Sequence, residues 1–170
     1  MESCEGCGFV YDLGDATGAS AAVTSGATEL AALLRAADEP ARRRDPQRWS
    51  PLEYACHVRD VLLVQRERVL RARREDTPVV VPMGRDERVE HDGYAQQRPE
   101  DVARQLVDAA AMFANVLSRL DGRDWDREVA YNYPLLAERP LRWLAVHTVH
   151  EVVHHLGDVR RQVEDRRDTT

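Results

Sequence analysis

The sequence predicts an all-α protein, an up-down-up-down four-helix bundle with a short irregular N-terminal segment carrying a Cys-x-x-Cys. Three observations predict it. The stretch from Val102 to Leu120 carries apolar residues at three- and four-residue spacing, a strong helix start signal stands at Ser50 to Glu53, and helix-favouring Ala, Leu, Arg and Glu dominate a chain with only 8 Pro and 9 Gly in 170 residues. That length suits one domain with one real core. The boundaries expected are 1–26 for the irregular segment, 27–166 for the bundle and 167–170 for a tail.

Residues 13–28 are small and polar and read as a loop into a first helix near Ala27 to Arg42. The second start is sharper. Ser50-Pro51-Leu52-Glu53 combines an N-cap serine, proline at the first helical position and a capping-box glutamate, so a helix should run from Pro51 to about Arg74. Thr77 to Tyr94 has no helical period and is longer than a bundle connection needs, which makes it a candidate functional loop. A third helix follows Arg98-Pro99, with Val102, Leu106, Ala109, Phe113, Val116 and Leu120 on one face and a stop at Asp121-Gly122. Trp125 to Glu138 reads as irregular, and Arg139-Pro140-Leu141 opens a last helix ending near Asp165.

Charge and composition exclude several classes of function. The net charge is −6 and all 24 basic residues are arginine, dispersed among acidic neighbours, which argues against a nucleic-acid footprint. No apolar run is long enough for a membrane span, and the start lacks a signal peptide, so a cytoplasmic protein is expected. Three cysteines, Cys4, Cys7 and Cys56, are too few for a secreted disulfide framework and should be reduced thiols.

Five of the six histidines are His57, His147, His150, His154 and His155, four of them inside nine residues of the last helix. Side chains four apart share a helical face, so Glu151 with His155, or His150 with His154, offers two ligands to one metal ion. His57 is the natural third ligand from another helix. A solvated polar face would also explain the cluster. On the helical wheel Glu151 and His155 share a shoulder with Leu144, Thr148 and Val159, which favours them; His150 and His154 border Gly157 and Arg161 and remain the alternative pair.

Trp49-Ser50-Pro51-Leu52-Glu53-Tyr54-Ala55-Cys56-His57 resembles the segment that opens the second helix in the DinB-like superfamily. His150-Glu151-Val152-Val153-His154-His155-Leu156-Gly157-Asp158-Val159 is similar to its last-helix signature. Glu151, His155 and Asp158 in particular resemble the mycothiol-dependent maleylpyruvate isomerase branch. The resemblance spans roughly Leu30 to Val163. It implies a divalent ion, zinc first and nickel second, on His57, Glu151 and His155, with an open position for water or a thiol. It implies a partner that is a small-molecule thiol such as mycothiol or its electrophile, the thiol becoming nucleophilic at the metal. Asp158, one turn beyond His155, is the candidate catalytic residue orienting a ligand.

Arg85, Arg88 and Tyr94 in the long loop are candidates for binding a carboxylate or a thiol cofactor over the metal, although charged loops are commonly just solvated. Cys4-Glu5-Gly6-Cys7 has the spacing of a zinc-knuckle half-site whose other half is missing. A bare dithiol, a two-cysteine site completed by His or Asp, and a disordered tail all remain open for it, as does a redox or metal-sensing role. Cys56 reads as a small core residue and the three tryptophans as packing anchors. There are slight grounds for a homodimer. A non-catalytic bundle stapled by its metal, serving stress response or redox sensing, is the competing reading.

Overall fold

The computed structural model describes residues 2–132 and 135–164. Four long helices form the bundle: α1 (Ala19–Ala36), α2 (Pro51–Arg74), α4 (Pro99–Leu117) and α5 (Leu141–Glu164), with a short α3 (Arg85–His91) between the second and third of these. α1 and α2 each pack against both α4 and α5 but barely meet each other. The order around the bundle is therefore α1, α4, α2, α5, with the first two long helices on a diagonal. The all-α four-helix bundle expected from the sequence is thus the architecture, and its ring order is what helix count and spacing leave undecided.

α2 occupies the expected span. The Ser50 hydroxyl accepts from the Glu53 amide and the Glu53 carboxylate accepts from the Ser50 amide, a closed capping box. Arg43 then clamps the buried Glu53 carboxylate with two nitrogens. That contact ties the preceding loop to the helix start.

α1 corrects the expectation of a helix from Ala27 to Arg42. It begins at Ala19, directly after a 3-10 turn at Leu13–Gly18, and ends at Ala36, so it crosses the boundary expected between residues 26 and 27. Ala19, Val23, Ala27, Leu30, Ala31 and Leu34 form its buried stripe, a pattern masked in sequence by the small residues around it. Its early end has a local cause: Pro40 disfavours a helical residue before it, and Glu39 sits at φ 50°. Gly26 permits close approach of α1 to α5, because a Cβ there would lie 2.5 Å from Val152 Cγ1.

Both stretches read as irregular contain structure. Thr77 to Tyr94 holds strand β1 (Val79–Val80), α3 and the start of a 3-10 turn at Tyr94–Gln96. Trp125 to Glu138 holds β2 (Glu128–Asn132) and most of β3 (Leu136–Pro140). β2 pairs parallel with β1 and antiparallel with β3. Strands of two to five residues are too short to declare a period-two pattern, which is why the sequence hides them. The sheet caps one end of the bundle: Arg127 reaches the carbonyls of Ala72 and Glu75 at the end of α2, and β3 leads straight into α5. α4 ends at Leu117, slightly before the Asp121-Gly122 stop. The expected helix end at Asp165 and the tail at 167–170 lie outside the described residues.

The N-terminal residues fold back on themselves. A bridge joins Ser3 to Val10, the Cys4 amide donates to the Phe9 carbonyl, and the Gly8 amide donates to the Cys4 carbonyl. Phe9 and Tyr11 then lie against His150, His147 and Trp143 of α5. The segment is an arm laid across the last helix.

Candidate metal centre

α2 contributes His57 and α5 contributes Glu151 and His155, and one donor atom of each lies within 4.8 Å of the others. His57 Nε2 is 3.5 Å and His155 Nε2 3.7 Å from the same oxygen, Glu151 Oε2. Such separations are long for charged hydrogen bonds and close to the roughly 3.3 Å between nitrogen or oxygen donors around one tetrahedral zinc. His57 is only 3% exposed, and its buried Nδ1 has no hydrogen-bond partner among the described residues. The trio therefore fits a divalent ion by donor type and by spacing.

Their surroundings orient the rings. Asp158 Oδ2 lies 2.9 Å from His155 Nδ1, so with the proton on Nδ1 the Nε2 lone pair faces Glu151. The contact places Asp158, the candidate catalytic residue of the sequence, behind the His155 ring. Tyr54 stacks on His155, and Trp49 covers His57. Capping box and metal centre belong to one stretch of chain: the turn that starts α2 also places Trp49 and His57.

Electrostatics favour a charged carboxylate amid imidazoles. Burial pushes the Glu151 carboxyl up, but the rings of His150, His155 and His57 outweigh it and hold it well below the ordinary range. Burial lowers His57 against the opposing pull of Glu151. Burial also opposes protonation of His155, yet Asp158 and Glu151 raise it overall. His147, deeper in the wall, is brought down to about 4 by burial. Its Nδ1 lies 3.0 Å from the Tyr11 hydroxyl.

These residues open onto a cavity of about 480 Å³ lined also by Gln65, Arg68, Arg85, Tyr131 and Asn132. It is large enough for a small-molecule substrate. Arg85 reaches it and rests over the Trp49 ring. Arg88 instead pairs with Asp60 at 3.1 Å and borders a separate shallow depression. Tyr94 is fully buried and gives its hydroxyl to Asp60 at 2.7 Å, so it is a core residue with no access to the cavity. Of the three loop candidates, Arg85 lines the cavity, whereas the expectation for Tyr94 is corrected: its ring follows the core while Asp60 satisfies its polar tip. Gln65, Arg68 and Tyr131 were missed; they are joined only in three dimensions, Arg68 and Gln65 both bonding the Tyr131 hydroxyl.

His150 and His154 lie between this trio and the N-terminal arm: His150 Nδ1 is 3.5 Å from Glu151 Oε1 and His154 Nε2 is 3.8 Å from Asp158 Oδ2, while both rings also meet the arm. Cys4 Sγ is 3.6 Å from His154 Nδ1. Burial pushes the Cys4 thiol up, but His150 and the backbone amides of its turn bring it down to about 6. The buried Cys56 is pushed up to about 12 by its apolar setting, as suits a core residue.

Comparison with known proteins identifies the family and the fold. The chain matches the family described as the DinB superfamily over residues 23–159. Its fold is similar to that of YfiT from Bacillus subtilis, described as "a probable metal-dependent hydrolase with an unusual four-helix bundle topology", with a TM-score of 0.77 at 12% identity over 95% of this chain and 93% of that one. No functionally curated protein matches the chain.

Proposed function

The chain belongs to the DinB superfamily, and from that premise we propose a divalent-metal-dependent enzyme acting on a small molecule, of the thiol-dependent transferase or isomerase type. The observation that carries the metal is the convergence of His57, Glu151 and His155 from two helices at the wall of a substrate-sized cavity. These three would hold the ion, with zinc the best match to two imidazoles and a carboxylate and nickel next. Bound there, a divalent ion lowers the pKa of a coordinated thiol or water.

The chain's own residues supply the rest. Asp158 holds the His155 ring in one orientation, and Val61, Val64, Pro82 and Met83 give the cavity an apolar side. Arg68 and Arg85 bring positive charge to the cavity, which suits an anionic substrate or a thiol cofactor such as mycothiol carrying acceptor groups. Among the described residues no helix is long and apolar enough to cross a membrane, which is compatible with a cytoplasmic place of work.

A hydrolytic reading is favoured by the description of YfiT and uses the same centre with water as nucleophile. Purified protein reloaded with zinc or nickel, assayed with mycothiol plus electrophiles and separately with esters and amides, decides between them. His57→Ala and Glu151→Gln should each bind one ion fewer than wild type and lose turnover by about 100-fold or more, because a metal's Lewis-acid contribution is worth several kcal/mol. Unchanged ion content in both variants overturns the ligand assignment. Ion loss with lowered melting temperature and no thiol or ester turnover in wild type would make the ion a staple of the bundle.

A further inference from the structure

α5 carries two ligand pairs at i, i+4 spacing, offset by one residue: His150 with His154, and Glu151 with His155. Neighbouring residues on a helix point about 100° apart, so the two pairs serve different faces. The second pair faces α2. The first faces the arm, where the other half of a four-ligand set is waiting: the sulfurs of Cys4 and Cys7 and a ring nitrogen each from His150 and His154 all lie within 4.8 Å of one another. This set shares no residue with His57, Glu151 and His155.

Three observations show that the arrangement is built and not a chance approach of an end of the chain. The Cys4–Cys7 turn is held by Gly8 N to Cys4 O and Cys4 N to Phe9 O, both 2.8 Å, with Gly8 at φ +74°. Gly6 is pressed onto the imidazole, since a Cβ there would lie 3.1 Å from His154 Cε1. Both ring nitrogens of His150 are buried without a hydrogen bond among the described residues, Nδ1 only approaching Glu151 Oε1 at 3.5 Å. A buried imidazole in that state calls for a ligand.

The donor chemistry selects the ion. Two thiolates and two imidazoles, spaced Cys-x2-Cys and His-x3-His, make a tetrahedral set for zinc and a poor one for the oxygen-seeking magnesium or calcium. The 3.6 Å from Cys4 Sγ to His154 Nδ1 is close to the separation expected of sulfur and nitrogen around one tetrahedral zinc. Four protein ligands leave no open position.

We propose that Cys4, Cys7, His150 and His154 form a second, closed zinc site that clamps the N-terminal arm onto α5. Binding forms two Zn–S and two Zn–N bonds with both sulfurs as thiolates and both imidazoles neutral at the bound nitrogen, any proton still held on those four atoms passing to solvent. Because Cys4 and His154 also line the cavity, the clamp forms part of the wall beside the first centre. The two centres divide the labour that zinc performs elsewhere, one filled by the protein and structural, the other open.

Cobalt(II) titration of the metal-free, reduced full chain tests the site independently of the first centre. The expected result is an intense near-ultraviolet sulfur-to-cobalt band in wild type that persists in His57→Ala, and disappears in Cys7→Ser and in His154→Asn. Zinc content should fall from two ions per chain to one in Cys7→Ser and likewise in His57→Ala. Should a variant fold poorly, wild type alone remains decisive: zinc must protect Cys4 and Cys7 from alkylation. Absence of the thiolate band from cobalt-loaded wild type, or full alkylation of both cysteines with zinc bound, overturns the clamp. Retention of two ions per chain in His57→Ala with the band intact would overturn only the first centre's assignment.

Discussion

Two buried polar clusters stand one turn apart on α2, and they differ in how fully the protein satisfies them. Asp60 accepts from Arg59 Nε at 2.8 Å, Tyr94 Oη at 2.7 Å and Arg88 Nη1 at 3.1 Å, while Arg59 also reaches Gln97 and Gln105. His57, by contrast, meets Glu151 only at 3.5 Å and leaves a buried nitrogen without a hydrogen bond. A cluster whose donors and acceptors are matched internally is architecture. One that is buried, adjacent to a cavity and incompletely matched is set up to receive something from outside.

The sharpest way to break that comparison is to remove the centre of the closed cluster. Asp60→Ala removes the buried carboxylate partner of Arg59, which keeps Gln97 and Gln105, and the acceptor of the Tyr94 hydroxyl, and should lower unfolding stability by about 3 kcal/mol. Urea denaturation measures it, and zinc bound per folded chain should stay at the wild-type value. A loss under about 1 kcal/mol together with depleted zinc would assign Asp60 to the metal centre instead.

The next effect concerns pH. His147 borders the open cluster, and its folded value of about 4 lies below the ordinary 6.5. Above pH 6.5 the ring is neutral in both states. Between 6.5 and about 4 the unfolded chain takes up a proton that the folded chain does not, so stability falls as the pH falls. His150 and His155, raised in the folded state, act in the opposite direction over the acid range. The comparison is therefore made between wild type and His147→Gln in the presence of chelator. The variant should lose about 1–3 kcal/mol less than wild type between pH 7 and 4.5. Parallel pH curves for the two proteins would show that His147 is not held neutral.

The smallest expected effect is at Arg88, which is more than a third exposed and is one of three donors to Asp60. Arg88→Ala should cost about 1 kcal/mol or less and leave ion content and substrate KM unchanged. A raised KM at unaltered stability would return Arg88 to the substrate-binding role that its place in the loop first suggested.

Legibility in the sequence varied with the range of the interaction. Ser50, Pro51 and Glu53 announce α2 to the residue because a capping box is satisfied within four positions. Glu151, His155 and Asp158 were legible because i, i+3 and i, i+4 partners on a helix are fixed by its pitch. α1 was misplaced by eight residues at its start, since alanine and glycine carry too little hydrophobic contrast to show a face. Tyr94 looked like a loop residue free to bind ligand, for nothing local reveals that Asp60, thirty-four residues earlier, takes its hydroxyl.

The same division runs through the histidines. From the sequence alone followed the helical bundle and the presence of two offset ligand pairs on the last helix, both consequences of helical periodicity, whereas His57 entered as a third candidate ligand through its place on another helix and the DinB-like resemblance. Which element faces each pair was decided by tertiary structure: α2 meets Glu151 and His155, and the N-terminal arm brings Cys4 and Cys7 to His150 and His154 across nearly the whole chain. The physical reason is that helical pitch orders side chains along one element, whereas partners between elements are chosen by how the apolar stripes of α1, α2, α4 and α5 pack.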